Sequence, residues 1–392
     1  MKNKTDFIVY LSTYPPRKCG IASFTQDLAA AIDKIANPKI KSKIIALNDD
    51  GNSYDYSDKV LYQIKDIDIK DYVKVAQKIN KNNKIKLVSI QHEFKIFGSD
   101  YGENLLVFLE KLKKPIVTTF HTVLPYPSGN RKKIIRSIAG KSDCLIVMSK
   151  YAVEILRRDY GPINSKIVVI PHGIHDAPYK PNTLIKEQLG YADKQIITSF
   201  GFLRPGRNEC SSGRGYEYVL DALPNVIKKF PNVLYLIIGI THPNTLKREG
   251  GKYRHSLKRK VKELGLEKHV KFINKHLPLN KLLNFLQASD ICISSALNPD
   301  QIVSGTLAYA MGCGRPVIAT PFAHAKEAIT SKTGIIVELR NPKSYAKAII
   351  KLLSNPELRN KMGRNAYSYT RPMIWPNIAS DYKKVFENYS LK

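Results

Sequence analysis

The chain has 392 residues, of which 43% are hydrophobic and 24% are charged, a balance typical of a folded globular protein. This length favours two domains over a single core. The longest apolar runs, such as residues 233–240, are far shorter than the ~20 residues of a membrane helix, and residues 1–6 do not resemble a signal peptide. Five cysteines without CxxC spacing indicate neither a disulfide framework nor a zinc site. We therefore expect a cytoplasmic protein.

Lysine and arginine total 63 against 33 acidic residues, which gives a formal net charge of +30. Such a field favours anionic partners, namely phosphate-bearing substrates, an anionic membrane surface or nucleic acid. A lysine-rich proteome would produce the same even scatter of charge. Because no nucleic-acid-binding module is evident, we expect no nucleic-acid partner. A peripheral contact with an anionic membrane, at its inner face, stays open.

Short apolar runs alternate with helical stretches in the first half, which indicates βαβ units and a parallel sheet. Apolar residues at helical spacing in residues 24–36 mark one buried face of a helix. Proline and glycine concentrate in residues 170–181, which predicts a linker. The strands predicted in this half are residues 7–11, 43–47, 87–91, 116–120, 144–148 and 167–170.

The alternation restarts after the linker, which predicts an α/β protein with two similar Rossmann-like, doubly wound halves. We predict an N-terminal domain in residues 1–175, a C-terminal domain in 176–371, and a last helix in 372–392 that packs back across the first domain. Ligands of such sheets bind at the carboxyl ends of the strands. The strands predicted here are residues 196–201, 234–239, 270–273, 291–294, 317–320 and 335–337.

Residues 301–320 carry the most informative local pattern, a glycine turn followed by a small apolar helix and a buried strand. Backbone N–H groups around Ser304 and Gly305 would lie at the start of that helix, where unpaired donors and the helix dipole attract an anion. An ordinary strand-loop-helix packing unit would give the same pattern. The segment therefore predicts a phosphate site without excluding a purely structural role.

Several segments in order resemble the retaining glycosyltransferases of family 4, and the resemblance covers nearly the whole chain. These enzymes have the GT-B fold, in which two Rossmann-like domains face each other across a cleft and a C-terminal helix crosses back. The resemblance implies transfer of a hexose, with retention, from a nucleotide sugar to a hydroxyl group. The segments that carry it are residues 14–25, 118–123, 199–218, 239–244, 288–295 and 301–309.

The resemblance implies that the first half supplies part of the site. The loop at Gly20 would face the donor diphosphate and the acceptor, and His121 would lie beside the donor sugar. Without the family context, His121 would more simply be a core histidine. His92 and Glu93 follow the preceding strand and could shape the acceptor pocket, although plain surface exposure would explain them equally.

In relatives, an arginine and a lysine near residues 199–218 neutralise the departing diphosphate. Phe202 occupies the usual arginine position and the loop carries extra residues, so we expect these roles to fall to Arg204, Arg207 and Arg214. Arg214 fits best, because it runs directly into the next helix.

The signature of the family has two glutamates eight positions apart, and here these positions are Gln301 and Tyr309. Gln301 can still hydrogen-bond sugar hydroxyls, whereas Tyr309 cannot accept a bidentate pair from ribose as a carboxylate does. Glu327 is a candidate for the missing acidic contact. The phosphate-holding amides of Ser304, Gly305 and Thr306 do not depend on side chains.

The implied donor is of the GDP-mannose or UDP-glucose type, and the implied acceptor is a carbohydrate or a lipid-linked sugar, as in polysaccharide or glycoconjugate biosynthesis. The resemblance implies no cofactor and no required metal. The altered signature also supports an alternative, a catalytically silent subunit that binds sugar nucleotides or acts as a scaffold. A basic nucleic-acid-binding protein is a third hypothesis.

Overall fold

A computed structural model of the chain describes residues 5–36, 38–49, 52–206 and 213–390. The chain forms two compact units, Met1–Gly173 together with Met373–Lys392, and Ile174–Pro372. No helix in the described ranges is long and apolar enough to span a membrane.

The first unit is built on a seven-stranded parallel sheet. Its strands are β1 (Asp6–Ser12), β2 (Ile40–Asn48), β3 (Val60–Lys65), β4 (Ile85–His92), β5 (Ile116–Phe120), β6 (Cys144–Val147) and β7 (Lys166–Val169). They lie in the order β3-β2-β1-β4-β5-β6-β7, so the direction of winding reverses between β1 and β4. A reversal of this kind is where ligands bind in doubly wound sheets.

Helices cover this sheet. They are α1 (Gly20–Ala36), α2 (Ile69–Lys81), α3 (Asn104–Lys111), α4 (Gly129–Lys141) and α5 (Lys150–Asp159). The predicted helix at residues 24–36 is confirmed and begins four residues earlier, at Gly20. Its buried face includes Phe24, Leu28, Ala31 and Ile32, at the spacing expected of one helical stripe.

The second unit repeats the plan with six parallel strands. These are β8 (Gln195–Phe200), β9 (Val233–Ile238), β10 (Val270–Ile273), β11 (Ile291–Ser294), β12 (Val317–Ala319) and β13 (Gly334–Ile336). Their order is β10-β9-β8-β11-β12-β13, which places the reversal between β8 and β11. The prediction of two Rossmann-like halves is confirmed.

The helices of the second unit and the closing helix complete the chain. They are α6 (Asn182–Gln188), α7 (Tyr216–Ile227), α8 (Pro243–Glu249), α9 (Lys252–Glu263), α10 (Leu279–Ala288), α11 (Gly305–Gly312), α12 (Ala323–Ala328), α13 (Pro342–Leu353), α14 (Pro356–Thr370) and α15 (Trp375–Ser390). Helix α15 belongs to the first unit, where it packs against α1 and β4. Its buried residues include Trp375, Ile378 and Tyr382.

Candidate active site

His121 directly follows β5, at the sheet edge next to β4. Its Nε2 lies 2.9 Å from Oε1 of Gln91, and its ring packs edge-on against Phe24 of α1, with centroids 4.8 Å apart. The residue is 9% exposed. Gly20 begins α1, and a Cβ placed there would meet no atom within 4 Å, so the space beside it is open. The contact of Gly20 with a ligand stays a prediction.

The imidazole of His121 is neutral at pH 7. Burial lowers its pKa to about 3, and the neighbouring His172 and His92 act in the same direction. Because Oε1 of Gln91 can only accept, Nε2 carries the proton and Nδ1 carries the lone pair. A neutral imidazole fixed in this way can hydrogen-bond a hydroxyl group, but it cannot bring positive charge to a phosphate.

The acceptor contact predicted for His92 is not supported by its position. The side chain is fully buried, with the rings of Phe94, Phe97 and Phe120 at centroid distances of 5.2, 5.7 and 5.3 Å. Within the described ranges, neither ring nitrogen has a hydrogen-bond partner. Burial lowers the pKa of His92 to about 3. The predicted strand end was right, but His92 faces the core there.

Glu93, the next residue, is half-buried and keeps a polar environment. Oε2 accepts a 2.6 Å hydrogen bond from the hydroxyl of Thr122, and Oε1 accepts one from the backbone N–H of Phe94 at 3.0 Å. These bonds fix the carboxylate beside Thr122, which follows His121 in the chain. Its role as an acceptor contact stays a prediction.

Because the imidazole of His92 is buried, we expect the stability of the fold to decrease at acid pH. A histidine with a pKa near 6.5 in the unfolded chain and about 3 in the folded one disfavours folding as the pH drops below 6.5, by about 2–3 kcal/mol at pH 4.5. We expect His92→Leu to reduce this loss. Above pH 6.5 the variant should be at least as stable as the parent, because it removes two unsatisfied buried nitrogens.

Urea unfolding between pH 4.5 and 7.5 measures this effect. The matched control is His255→Leu, which replaces an exposed histidine on α9. An identical pH dependence in the parent and in His92→Leu would contradict the assignment of His92 as a source of acid lability.

In the second unit, Arg214 lies at the reversal of winding. Its Nη1 lies 3.4 Å from Oγ1 of Thr306, at the start of α11. Its backbone is fixed on both sides, since its N–H donates to the carbonyl of Arg204 at 3.2 Å and its carbonyl accepts from the hydroxyl of Ser295. Gly201 provides the room beside it, because a Cβ there would lie 3.5 Å from Nη2 of Arg214.

The N-terminus of α11 has the geometry expected of an anion site. Ser304 caps the helix, with its Oγ accepting from the N–H of Leu307 at 3.2 Å and lying 3.0 Å from Oγ1 of Thr306. The amides of Gly305 and Thr306 belong to the first helical turn, where an α-helix provides no carbonyl partner. Two of the three predicted amides therefore point out of the helix start, next to Arg214.

The third amide is occupied by a residue that sequence reasoning missed. The N–H of Ser304 donates to Nδ1 of His324 at 2.8 Å, and the N–H of His324 in turn donates to the carbonyl of Gln301 at 3.0 Å. Only the position of His324 three residues before Glu327, in a segment already aligned with the site, could have indicated it. The prediction of a freely available Ser304 amide is corrected accordingly.

Three other predicted contacts lie around this helix. The amide of Gln301 is half-buried and donates to the carbonyl of Val303 at 2.9 Å. Tyr309 is half-buried on α11, with its ring 5.8 Å from that of His175. Glu327 is exposed near the end of α12. The structure groups Gln301 with the start of α11, while ligand contacts for all three residues stay predictions.

The other two basic residues predicted for the site are Arg204 and Arg207. Arg204 is half-buried, and its guanidinium lies 6.0 Å from the ring of Phe202, the residue at the usual arginine position. Arg207 lies outside the described residues. No group of three or more His, Cys, Asp or Glu side chains within the described ranges could hold a metal ion.

Two glycines lie at the carboxyl ends of neighbouring strands at this edge of the sheet. Gly201 follows β8 and Gly239 follows β9, with φ of +120° and +137°. A Cβ on Gly239 would lie 2.1 Å from the carbonyl oxygen of Gly201, so the two backbones are in direct contact. The edge between β8 and β11 thus combines close backbone packing, a helix start and a guanidinium, an arrangement suited to a phosphate group.

Comparisons with known proteins agree with this geometry. The family model "Glycosyl transferases group 1" matches residues 208–369, and the model "Glycosyltransferase Family 4" matches residues 20–177. Among solved structures, HepE of Anabaena in complex with UDP has a TM-score of 0.74 at 16% identity, with 98% of this chain and 100% of that chain covered. Sucrose-phosphate synthase of Thermosynechococcus elongatus has a TM-score of 0.73 at 16% identity, with 98% of each chain covered.

Curated relatives are similar over a shorter span. An uncharacterized glycosyltransferase of Methanocaldococcus jannaschii is 26% identical over 65% of this chain, and the chain spans 61% of that protein. The phosphatidyl-myo-inositol mannosyltransferase of Propionibacterium freudenreichii is 25% identical over 73% of this chain and 68% of its own length. The two family matches cover both units and the solved structures share the GT-B fold, so the chain belongs to the glycosyltransferases of group 1 and family 4.

Proposed function

We propose that the protein transfers a hexose, with retention of configuration, from a nucleotide sugar of the GDP-mannose or UDP-glucose type to a hydroxyl of a carbohydrate or lipid-linked acceptor. The observation that carries the proposal is the placement of Arg214 against Thr306 at the capped start of α11. A uridine nucleotide is favoured by HepE, solved with UDP and with UDP-glucose, and mannose by the Propionibacterium relative.

In the proposed reaction the bond between the anomeric carbon and the diphosphate oxygen breaks, and a bond to the acceptor oxygen forms on the same face. The acceptor proton passes to the departing phosphate. Negative charge grows on the diphosphate, where the guanidinium of Arg214 and the amides of Gly305 and Thr306 would stabilise it. The proposed chemistry uses no cofactor and needs no metal.

His121 has a proposed role in the first unit, in which Nδ1 of its fixed, neutral imidazole accepts a hydrogen bond from a hydroxyl of the donor sugar. We expect His121→Ala to lower turnover at least tenfold, because a positioned hydrogen bond is lost. The substitution should also lower the Tm, since it removes the bond to Gln91 and the packing on Phe24.

Gln91→Leu is the control, because it breaks the same internal bond and leaves the imidazole in place. Turnover and Tm are measured on both variants. If His121→Ala loses Tm but keeps its turnover, His121 is the core histidine that the sequence alone also allowed.

The altered signature supports a second candidate, a silent subunit that binds a sugar nucleotide without transferring the sugar. Gln301 and Tyr309 replace two acids, and in this structure the amide of Gln301 already bonds to the backbone. A silent subunit predicts nucleotide binding without any release of sugar, alone or with acceptors.

A thermal-shift and hydrolysis screen against GDP, UDP, ADP and their sugar conjugates tests the proposal. Ligands that bind the folded state raise the Tm by mass action. A shift with one nucleotide, together with slow release of its sugar, would establish the activity and name the donor. Binding without release in the presence of glucoside, mannoside and lipid-linked acceptors would favour the silent subunit. No shift with any of these nucleotides would contradict both.

The net charge of +30 supports a further part of the proposal, a peripheral contact with an anionic membrane at the cytoplasmic face. Such binding should weaken steeply with salt. Flotation with vesicles of phosphatidylglycerol and phosphatidylcholine measures it. Equal flotation with neutral vesicles, or none at low salt, would remove this part of the proposal.

A further inference from the structure

Arg254, on α9, is a buried cation for which the described residues provide no counter-ion. The residue is only 6% exposed. Its Nη2 donates to the carbonyl of Gly239 at 2.9 Å, and its Nη1 has no hydrogen-bond partner among the described residues. No carboxylate of the described residues acts on its charge, and burial lowers its pKa. An unpaired buried charge costs several kcal/mol, so its presence requires an explanation.

A second unsatisfied group lies close by. Tyr216, the first residue of α7, is 1% exposed, and its hydroxyl has no hydrogen-bond partner in the part of the chain that the structure describes. Burial raises its pKa, while the positive charges of Arg214 and Arg254 both act to lower it. The two guanidiniums therefore lie near the same phenol. The nearby carboxylate of Glu217 accepts from the hydroxyl of Tyr253 at 2.7 Å.

A continuous set of contacts joins Arg254 to the start of α11. Arg254 bonds to the carbonyl of Gly239, and Gly239 is in backbone contact with Gly201. Gly201 in turn lies beside Arg214 and Thr306, since a Cβ on Gly201 would be 3.5 Å from Nη2 of Arg214 and 3.2 Å from Cγ2 of Thr306. Arg254 thus bonds to the backbone of Gly239, which packs on Gly201 beside Arg214, and both guanidiniums lie near the hydroxyl of Tyr216.

We propose that Arg254 is the second positive charge of the diphosphate site, a positioning residue that holds the Gly239 loop and adds positive potential beneath the bound phosphates. The inference rests on the proposed function. A diphosphate would provide the negative charge that the described residues do not place beside Arg254. Because it acts through Gly239 and through the electric field, Arg254 should affect the affinity for phosphates and leave the affinity for the nucleoside largely unchanged.

Arg254→Met tests this, since methionine keeps much of the side-chain volume and removes the charge. The probes are UDP against uridine and GDP against guanosine, measured by calorimetry and, for the weak nucleosides, by ligand-observed NMR. We expect the affinity for the nucleoside diphosphate to fall about tenfold and that for the nucleoside to change less than twofold. Arg259→Met, on the same helix with a side chain 75% exposed, is the control and should change neither.

The outcomes separate this inference from the proposed function. If the parent protein binds no nucleoside diphosphate, the proposed function fails and the inference fails with it. If the parent binds and Arg254→Met weakens diphosphate and nucleoside equally, or lowers only the Tm, Arg254 is a packing residue and the inference is wrong. Should Arg254→Met not fold, Arg254→Lys and Arg254→Gln replace it. The lysine variant, which keeps the charge, must then bind the diphosphate at least fivefold more tightly than the glutamine variant, while the two bind the nucleoside equally.

Discussion

Arg214→Ala is expected to lower turnover by a factor of 100 or more. The guanidinium is the charged group fixed at the start of α11, with Nη1 3.4 Å from Oγ1 of Thr306. In the proposed reaction, negative charge develops on the diphosphate as its bond to the sugar breaks. Removing one preorganised donor at such a position typically costs two to three orders of magnitude in turnover.

The fold should survive this substitution, because Arg214 is held mainly by its backbone. Its N–H and carbonyl bond to Arg204 and Ser295, and alanine keeps both groups. Initial rates with saturating donor, and the Tm, are measured on Arg214→Ala and on the exposed control Arg259→Ala. An unchanged rate for Arg214→Ala would move the charge-neutralising role to Arg204 or Arg207.

The positions of most strands could be predicted from the sequence because buried parallel strands are continuous apolar runs. Each predicted strand is present, within one to three residues at its ends. The exception is β3, Val60–Lys65, which was not predicted. In this edge strand three of the six residues are half-buried, two are exposed and only Ile64 is buried, so it lacks the continuous apolar run of a strand covered on both faces.

The anion-binding part of the site was also accessible from the sequence. A serine cap, a glycine and a threonine at a helix start are local signals, and the structure places Arg214 beside them. His324 and Arg254 could not be found in this way. Their partners, Ser304 and Gly239, lie 20 and 15 residues away, and only the folded chain brings them together.

His92 shows the opposite failure. A histidine and a glutamate at the carboxyl end of a strand are reasonable candidates for a ligand site, and Glu93 does keep a polar environment. The side chains of consecutive residues in a strand point to opposite faces, however, and His92 points into the phenylalanine cluster. The sequence did not show which of the two residues faces the core.

Gly239→Ala is expected to be the most damaging single-methyl change at this edge. Gly239 has a φ of +137°, which side chains rarely adopt, and a Cβ there would lie 2.1 Å from the carbonyl oxygen of Gly201. Strain and collision together should cost about 3 kcal/mol, a fall of roughly 6–12 °C in Tm for a unit of this size. The backbones must separate to relieve the collision, so nucleoside diphosphate binding should also be lost.

Gly265→Ala is the matched control. Gly265 also has a positive φ, +64°, but a Cβ there would meet no atom within 4 Å. It should cost only about 1 kcal/mol and leave the affinity for UDP or GDP unchanged. If the two variants lose equal stability and bind alike, contact between the loops after β8 and β9 is not needed for the site. If only Gly239→Ala loses binding, the backbone contact between Gly201 and Gly239 is needed for the proposed diphosphate site.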